Sequence, residues 1–255
     1  MHRFFVEGVR ELGDEVALAQ DDARKARVVL RLRDGDRVEI ADSGSQAFVA
    51  SVAIRGDAVV ATLAEAIPDA RGETLRVDVA QAVPKGSKMD FVVEKLTELG
   101  VARILPFVSE RCVARDAGAP RVERWRRLAR AAALQCGRRE IPEVAQPSGF
   151  DELLARFAGY DLILFAWELA PDRPLRETLP ALLAGATRVL AVVGPEGGFS
   201  HDEAERAQAA GARQVRLGRR ILRTETAALA LVAVLEYASE GAALGSVPEL
   251  GTSAS

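Results

Sequence analysis

Two cysteines and two histidines in 255 residues leave little material for whole classes of chemistry. Cys112 and Cys136 are far apart with no C-x-x-C spacing, which argues against a disulfide framework or a dithiol redox site and implies a reducing cytoplasm. His2 and His201 belong to no H-E-x-x-H or Cys/His cluster, so no metal is expected. The longest unbroken apolar run, Ala227 to Leu235, falls well short of the ~18 residues of a membrane span. The opening MHRFFVEGVR also lacks the apolar stretch of a secretory signal. Positive charge is not in excess either: 34 Lys and Arg face 37 Asp and Glu, for a net charge of −3. That excludes binding nucleic acid through bulk charge, and any basic surface must be local.

What is present is apolar material, 49% of the chain, enough to bury a sizeable core. Up to about residue 67 it comes as short alternating or β-branched runs, at 4 to 6, 15 to 19, 36 to 42, 47 to 54 and 58 to 67, punctuated by DGD and DSGS. This spacing predicts a small barrel-like β domain, with ARKARVVLRL at 23 to 32 as one helix or strand inside it. IPDARGE at 67 to 73 reads as a linker. Beyond it, apolar strands (LRVDVAQAV, ARILPFV, DLILFAW, RVLAVVG, QVRLG) alternate with helical segments near 89 to 99, 121 to 135, 151 to 157, 174 to 184 and 201 to 210. Strands and helices in alternation predict an α/β class, a parallel sheet with helices on both faces. Ser87 and Ser200 are expected to cap helix starts, the latter in a capping box with Glu203, and Gly100 to end a helix. The Gly-, Ser- and Ala-rich end, 242 to 255, is expected to be a flexible tail.

In VVGPEGGFSHDE, residues 192 to 203, a strand stops at bare backbone before a helix restarts. Ligands of parallel sheets sit beyond the C-terminal strand ends, and glycines there admit them to the backbone. A phosphate is disfavoured: the Walker Lys-Ser/Thr and the G-x-G-x-x-G spacing are both missing, and Glu196 would repel an anion. A neutral or cationic ligand suits the loop better, although a glycine cluster alone can be no more than a tight connection. Two further strand ends, FAWE at 165 to 168 and LGRRILRTETA at 217 to 227, complete a pocket, the second preceding a helix capped by Thr224 or Thr226. Residues 103 to 139 hold ten arginines and three acids, a basic segment in an acidic chain. On its helix, Trp125, Leu128, Ala132 and Gln135 are expected on the inner face, leaving Arg124, Arg127, Arg130, Arg138 and Arg139 free for phosphates.

GPEGGFS and LGRRILRTETA resemble the second and third cofactor loops of the SPOUT class of S-adenosylmethionine methyltransferases. QAVPKGSKMDFVVEKLTELGV (81 to 101), SERCVAR (109 to 115) and AAALQCGRREIPEV (131 to 144) are similar to the RsmE type within that class, over residues 1 to about 240. The resemblance implies a trefoil-knot α/β domain over 74 to 241, preceded by a PUA-like β-barrel over 1 to 70 that binds RNA. It implies methylation of N3 of a uridine in 16S ribosomal RNA of the small subunit. The implied cofactor contacts are Phe165, Ala166, Val193, Gly194, Pro195, Glu196, Gly197, Gly198, Leu217, Gly218, Ile221, Leu222 and Thr226. Arg223 is expected to stabilise charge on the deprotonated uracil, with Glu196 as either proton acceptor or cofactor ligand. RNA contact is expected from Arg3, Arg111, Arg115, Arg124, Arg127 and Arg138. One departure stands in QDDARKARVVLR at 20 to 31, where Asp21 and Asp22 oppose contact with a phosphate backbone. The helix over 226 to 237 is apolar nearly all round, so it is expected either deep in the domain or, as the family implies, near a two-fold homodimer interface.

Overall fold

The computed structural model describes residues 1–68, 75–113, 118–171 and 175–243. The chain divides into two compact units, Met1–Glu73 with Arg130–Ile141, and Thr74–Ala129 with Pro142–Ser255. The 130–141 segment therefore packs with the N-terminal unit, whereas the sequence reading had placed it in the 74–241 domain.

The first unit holds β1 (Arg3–Phe5), β2 (Glu15–Ala17), α1 (Gln20–Arg24), β3 (Arg37–Ala41), β4 (Ala47–Arg55) and β5 (Ala58–Ile67). Its curled sheet has the order β1-β3-β4-β5-β2, antiparallel except for β1 against β3. The alternation read in the sequence is the physical cause: Phe48, Ala50 and Val52 of β4 and Val59, Ala61 and Leu63 of β5 all point into one core. The 23–32 stretch, left open between helix and strand, is helical, α1 running on into a π-helical turn at Lys25–Val29 that buries Ala23 and Ala26.

The second unit is built on a seven-stranded sheet, parallel throughout. It contains β6 (Arg76–Ala82), α2 (Lys88–Glu98), β7 (Arg103–Val108), α3 (Ala119–Cys136), β8 (Glu143–Val144), β9 (Ser148–Gly149), α4 (Phe150–Ala155), β10 (Leu162–Ala166), α5 (Leu175–Leu183), β11 (Arg188–Val193), α6 (His201–Ala209), β12 (Arg213–Val215) and α7 (Thr224–Ala243). The order is β12-β10-β11-β6-β7-β8, with β9 also on β7. The last two turns of α3 belong to the first unit by their packing. Val189 to Val193 of β11 and Val77 to Ala82 of β6 are buried at every position, as strands covered on both faces must be. Phe165 and Phe199 lie 4.1 Å apart between ring centres, and Phe107 stacks on Phe199, closing the core beneath the strand ends. The two-residue strands β8 and β9 carry too little pattern to be read from sequence.

Four local expectations need correction. Ser87 makes no side-chain cap; Gly100 does follow the helix at φ +95°, the left-handed C-terminal position. Gln135 is exposed, and the buried stripe of α3 is Val122, Trp125, Ala129, Ala132 and Ala133. The helix at the C-terminal end is not covered on every side: Ala233, Val234 and Tyr237 of α7 are exposed. That helix also runs to Ala243, past the expected start of the tail at 242, while 244–255 lie outside the described residues.

Candidate active site

Beyond the C-terminal ends of β10, β11 and β12 lies a cleft of about 460 Å³, within the range of small-molecule sites. The three stretches singled out in the sequence meet there, because β12, β10 and β11 are neighbours in the sheet. Of the expected contacts, Ala166, Val193 to Gly198, Leu217, Gly218, Ile221 and Leu222 line it. Phe165 does not: alternation along β10 turns its ring into the core, where it is fully buried. Thr226 does not either; it is exposed on α7 and does not line the cleft, whereas Thr224 does.

The loop after β11 is held tightly. A Cβ at Gly194 would stand 3.0 Å from the Phe199 ring, and Gly198 sits at φ +68° with its missing Cβ only 2.7 Å from Glu168 Oε1. Both positions require glycine, one for approach and one for conformation. Ser200 then starts α6 with the expected capping box: its Oγ accepts from the Glu203 N–H at 3.3 Å, and Glu203 Oε2 accepts from the Ser200 N–H at 3.0 Å. The other oxygen, Glu203 Oε1, accepts from the Glu110 N–H at 2.9 Å, which brings the 109–113 loop alongside.

Thr224 fastens the loop from the opposite side. Its hydroxyl donates to the Gly194 carbonyl at 2.5 Å and accepts from Gln81 Nε2 at 2.8 Å, joining β6, the β11 loop and the start of α7. This is not the N-terminal cap expected of Thr224 or Thr226. The hydroxyl bridges between segments instead.

Glu196 is spoken for. Its Oε1 accepts from Lys88 Nζ at 2.7 Å and from the Lys85 N–H at 3.1 Å. Burial alone would raise this carboxyl, but the hydrogen bonds from Lys88 and from backbone N–H groups outweigh it and hold Glu196 below the ordinary carboxylate range. Its hydrogen bond to Glu196 in turn holds the Lys88 ammonium above the usual lysine range. Lys88 is a site residue that the sequence reading did not single out. A usable signal was there: a cation in the first turn opposes the helix dipole and calls for an acidic partner. Glu168, also missed, is an exposed carboxylate lining the cleft with no cation partner among the described residues.

The arginines expected at RNA separate by their partners. Arg3 is bound to Glu39 through Nε at 2.9 Å and to the Gly137 carbonyl. Arg124 pairs with Asp90 at 2.8 Å and Arg130 with Asp22 at 2.9 Å, while Arg139 donates to the carbonyls of Ile67 and Pro68. These are tethers rather than free side chains. Arg111 donates to the Gly197 carbonyl at 3.1 Å, at the cleft itself. Arg138 is half-buried, Arg115 lies outside the described residues, and Arg127 is exposed with no partner among the described residues. The charge of Asp22 is matched by Arg130 rather than presented outward.

Among known proteins, the family model described as RNA methyltransferase domain matches residues 71–236. The ribosomal RNA small subunit methyltransferase E of Bacillus subtilis is 30% identical over 94% of this chain and 98% of its own. That of Mycobacterium tuberculosis is 34% identical over 88% and 87%. The crystal structure of the corresponding enzyme from Neisseria gonorrhoeae bound to S-adenosyl methionine superposes with a TM-score of 0.80 at 30% identity, covering 93% of this chain and 97% of that one. A Legionella pneumophila chain solved with bound SAM gives 0.79 at 31%, covering 92% and 97%. A family match over more than half the chain, relatives alike from end to end, and a cleft built from the same three loops that the sequence marked place this chain in the ribosomal RNA small subunit methyltransferase E family.

Proposed function

We propose that this protein transfers a methyl group from S-adenosylmethionine to N3 of a uridine in 16S ribosomal RNA of the small subunit, in the cytoplasm. The observation that carries the reading is the cleft where three strand-end loops converge, two of them held by glycine backbone and one bearing Arg223. The cleft fits the cofactor. Leu217, Ile221, Leu222 and Val193 offer apolar surface for an adenine, the loop peptides offer hydrogen-bonding groups, and the Glu168 carboxylate suits a cationic ligand. When bound, the cofactor supplies a methyl group on a positively charged sulfur.

The chain's own residues then align and polarise the acceptor. Transfer is an in-line displacement, so fixing the nucleophile against the cleft supplies much of the acceleration. Uracil N3 must lose a proton, and Arg223, exposed at the cleft, offsets the charge that spreads to the ring carbonyls. Glu196 serves this site better as a holder of the loop than as a base, since a carboxyl held below its ordinary range has little proton affinity.

Arg127 is the side chain best placed among the expected RNA contacts to meet phosphate. A second copy of the chain covers the exposed apolar side chains of Val234 (41% exposed) and Tyr237 (81%) of α7. Gel filtration with light scattering tests the homodimer, and a clean monomer would count against it.

The decisive experiment is methylation of small-subunit particles from a strain lacking the protein, followed by nucleoside analysis and mapping. 3-Methyluridine is the expected product. A 2′-O-methyl product would assign the site to ribose methylation. RNA binding with no methylation, and no thermal stabilisation by cofactor, would make the chain a noncatalytic RNA-binding factor.

A further inference from the structure

Lys88 is the first residue of α2, a position where a cation opposes the helix dipole. Its ammonium nevertheless stands between two carboxylates from two other segments, Glu196 Oε1 at 2.7 Å in the β11–α6 loop and Glu225 Oε2 at 3.7 Å in the first turn of α7. Glu225 Oε2 is buried and accepts no hydrogen bond, so this ion pair is its only matched charge among the described residues. Two positions before Glu225 comes Arg223, which lines the same cleft as Glu196. Four charges of alternating sign are thus packed at one corner of the cleft.

We propose that Lys88 is a positioning residue for methyl transfer: by pairing with Glu196 and Glu225 it occupies the carboxylates that would otherwise capture Arg223, and so leaves the guanidinium available to the substrate. The proposal rests on the reading of Arg223 given above. An ion pair whose lysine is still a third exposed contributes little to stability, so an arrangement across three segments needs another reason. Without Lys88, the buried Oε2 of Glu225 would lack a cation among the described residues, and Arg223, at the same corner of the cleft, would be drawn to replace it. Arg223 drawn onto Glu225 keeps its charge but no longer points it at the acceptor.

The test compares wild type, Lys88→Met, Lys88→Arg and the double variant Lys88→Met with Glu225→Gln, using small-subunit particles and S-adenosylmethionine. Lys88→Met is expected to lower kcat at least tenfold while the Kd for S-adenosylmethionine moves less than about threefold, and Lys88→Arg is expected to retain kcat within threefold. Adding Glu225→Gln to Lys88→Met is expected to restore kcat by more than twofold, because Arg223 is released. A merely structural lysine predicts the opposite, a double variant no faster than Lys88→Met. That result overturns the proposal, as does a smaller loss in Lys88→Met, a larger change in its cofactor affinity or a slower Lys88→Arg. Melting of each variant without cofactor reports folding, and should Lys88→Met fail to fold, Lys88→Gln with and without Glu225→Gln is held to the same outcomes. Absence of methylation by the wild-type protein would instead refute the assigned activity.

Discussion

Replacing Thr224 by valine keeps the side-chain shape and removes only the hydroxyl that ties three segments of the cleft together. The Gly194 carbonyl loses its donor at 2.5 Å, and Gln81 Nε2 loses an acceptor at 2.8 Å. Thr224 is 5% exposed and Gln81 fully buried, so water does not replace either bond. A buried group left unpaired costs about 1–3 kcal/mol. Gln81 Nε2 keeps its bond to the Ala82 carbonyl at 2.9 Å, which places its loss at the low end. The sum is about 2–4 kcal/mol. For a chain of this size, about 2–4 °C of melting temperature per kcal/mol converts this to a fall of roughly 4–16 °C. Urea unfolding followed by circular dichroism gives the free energy, and calorimetry with S-adenosylmethionine should show weaker binding, because the Gly194 carbonyl is no longer fixed. Thr224→Ser retains the hydroxyl and should stay within about 1 kcal/mol of wild type. If Thr224→Val were as stable as wild type to within 0.5 kcal/mol, roughly the noise of surface substitutions, the bridge would not hold the loop.

Arg223→Ala is expected to lower turnover about 100-fold, the scale of losing one preorganised charge-stabilising group, with cofactor affinity preserved; an unchanged rate removes Arg223 from its role. Gly197→Val should weaken S-adenosylmethionine binding more than tenfold in calorimetry, since even a Cβ there comes within 3.1 Å of Arg111 Cβ; undiminished binding would make the loop a mere connection. Burial and its bond to Asp78 push the Tyr160 hydroxyl up to about 12, so its contribution to stability is complete below pH 10 and is lost as pH rises through about 12. Tyr160→Phe should lack that alkaline decline in urea midpoints measured against pH. Arg127→Ala should reduce the slope of log affinity for the RNA against log salt by about 1 in filter binding, and an unaltered slope would move the phosphate contact elsewhere.

Much of the organisation was legible because it rests on local pattern. The alternation in 47–54 and 58–67 marks strands that face one core, and the continuous apolar runs of β6, β10 and β11 mark strands covered on both sides. Glycines at 194, 197 and 198 followed by Ser200 and Glu203 mark a strand end, a bare loop and a capped helix, all of which the fold contains. Those are consequences of backbone sterics within a few residues. Lone arginines were less readable: Arg3, Arg124, Arg130 and Arg139 look available in sequence, yet each is bound to a carboxylate or carbonyl between 34 and 134 residues away.

The long strands and helices and the bare glycine loop were thus determined by the chain alone, since periodicity and backbone freedom are short-range properties. Which charges are spent and which are free was decided only when the sheet order set β11 between β10 and β6 and laid α7 beside α2. Lys88 met Glu196 and Glu225, and Thr224 met Gly194, because Coulomb and hydrogen-bond energies depend on distance in space and not on separation along the chain.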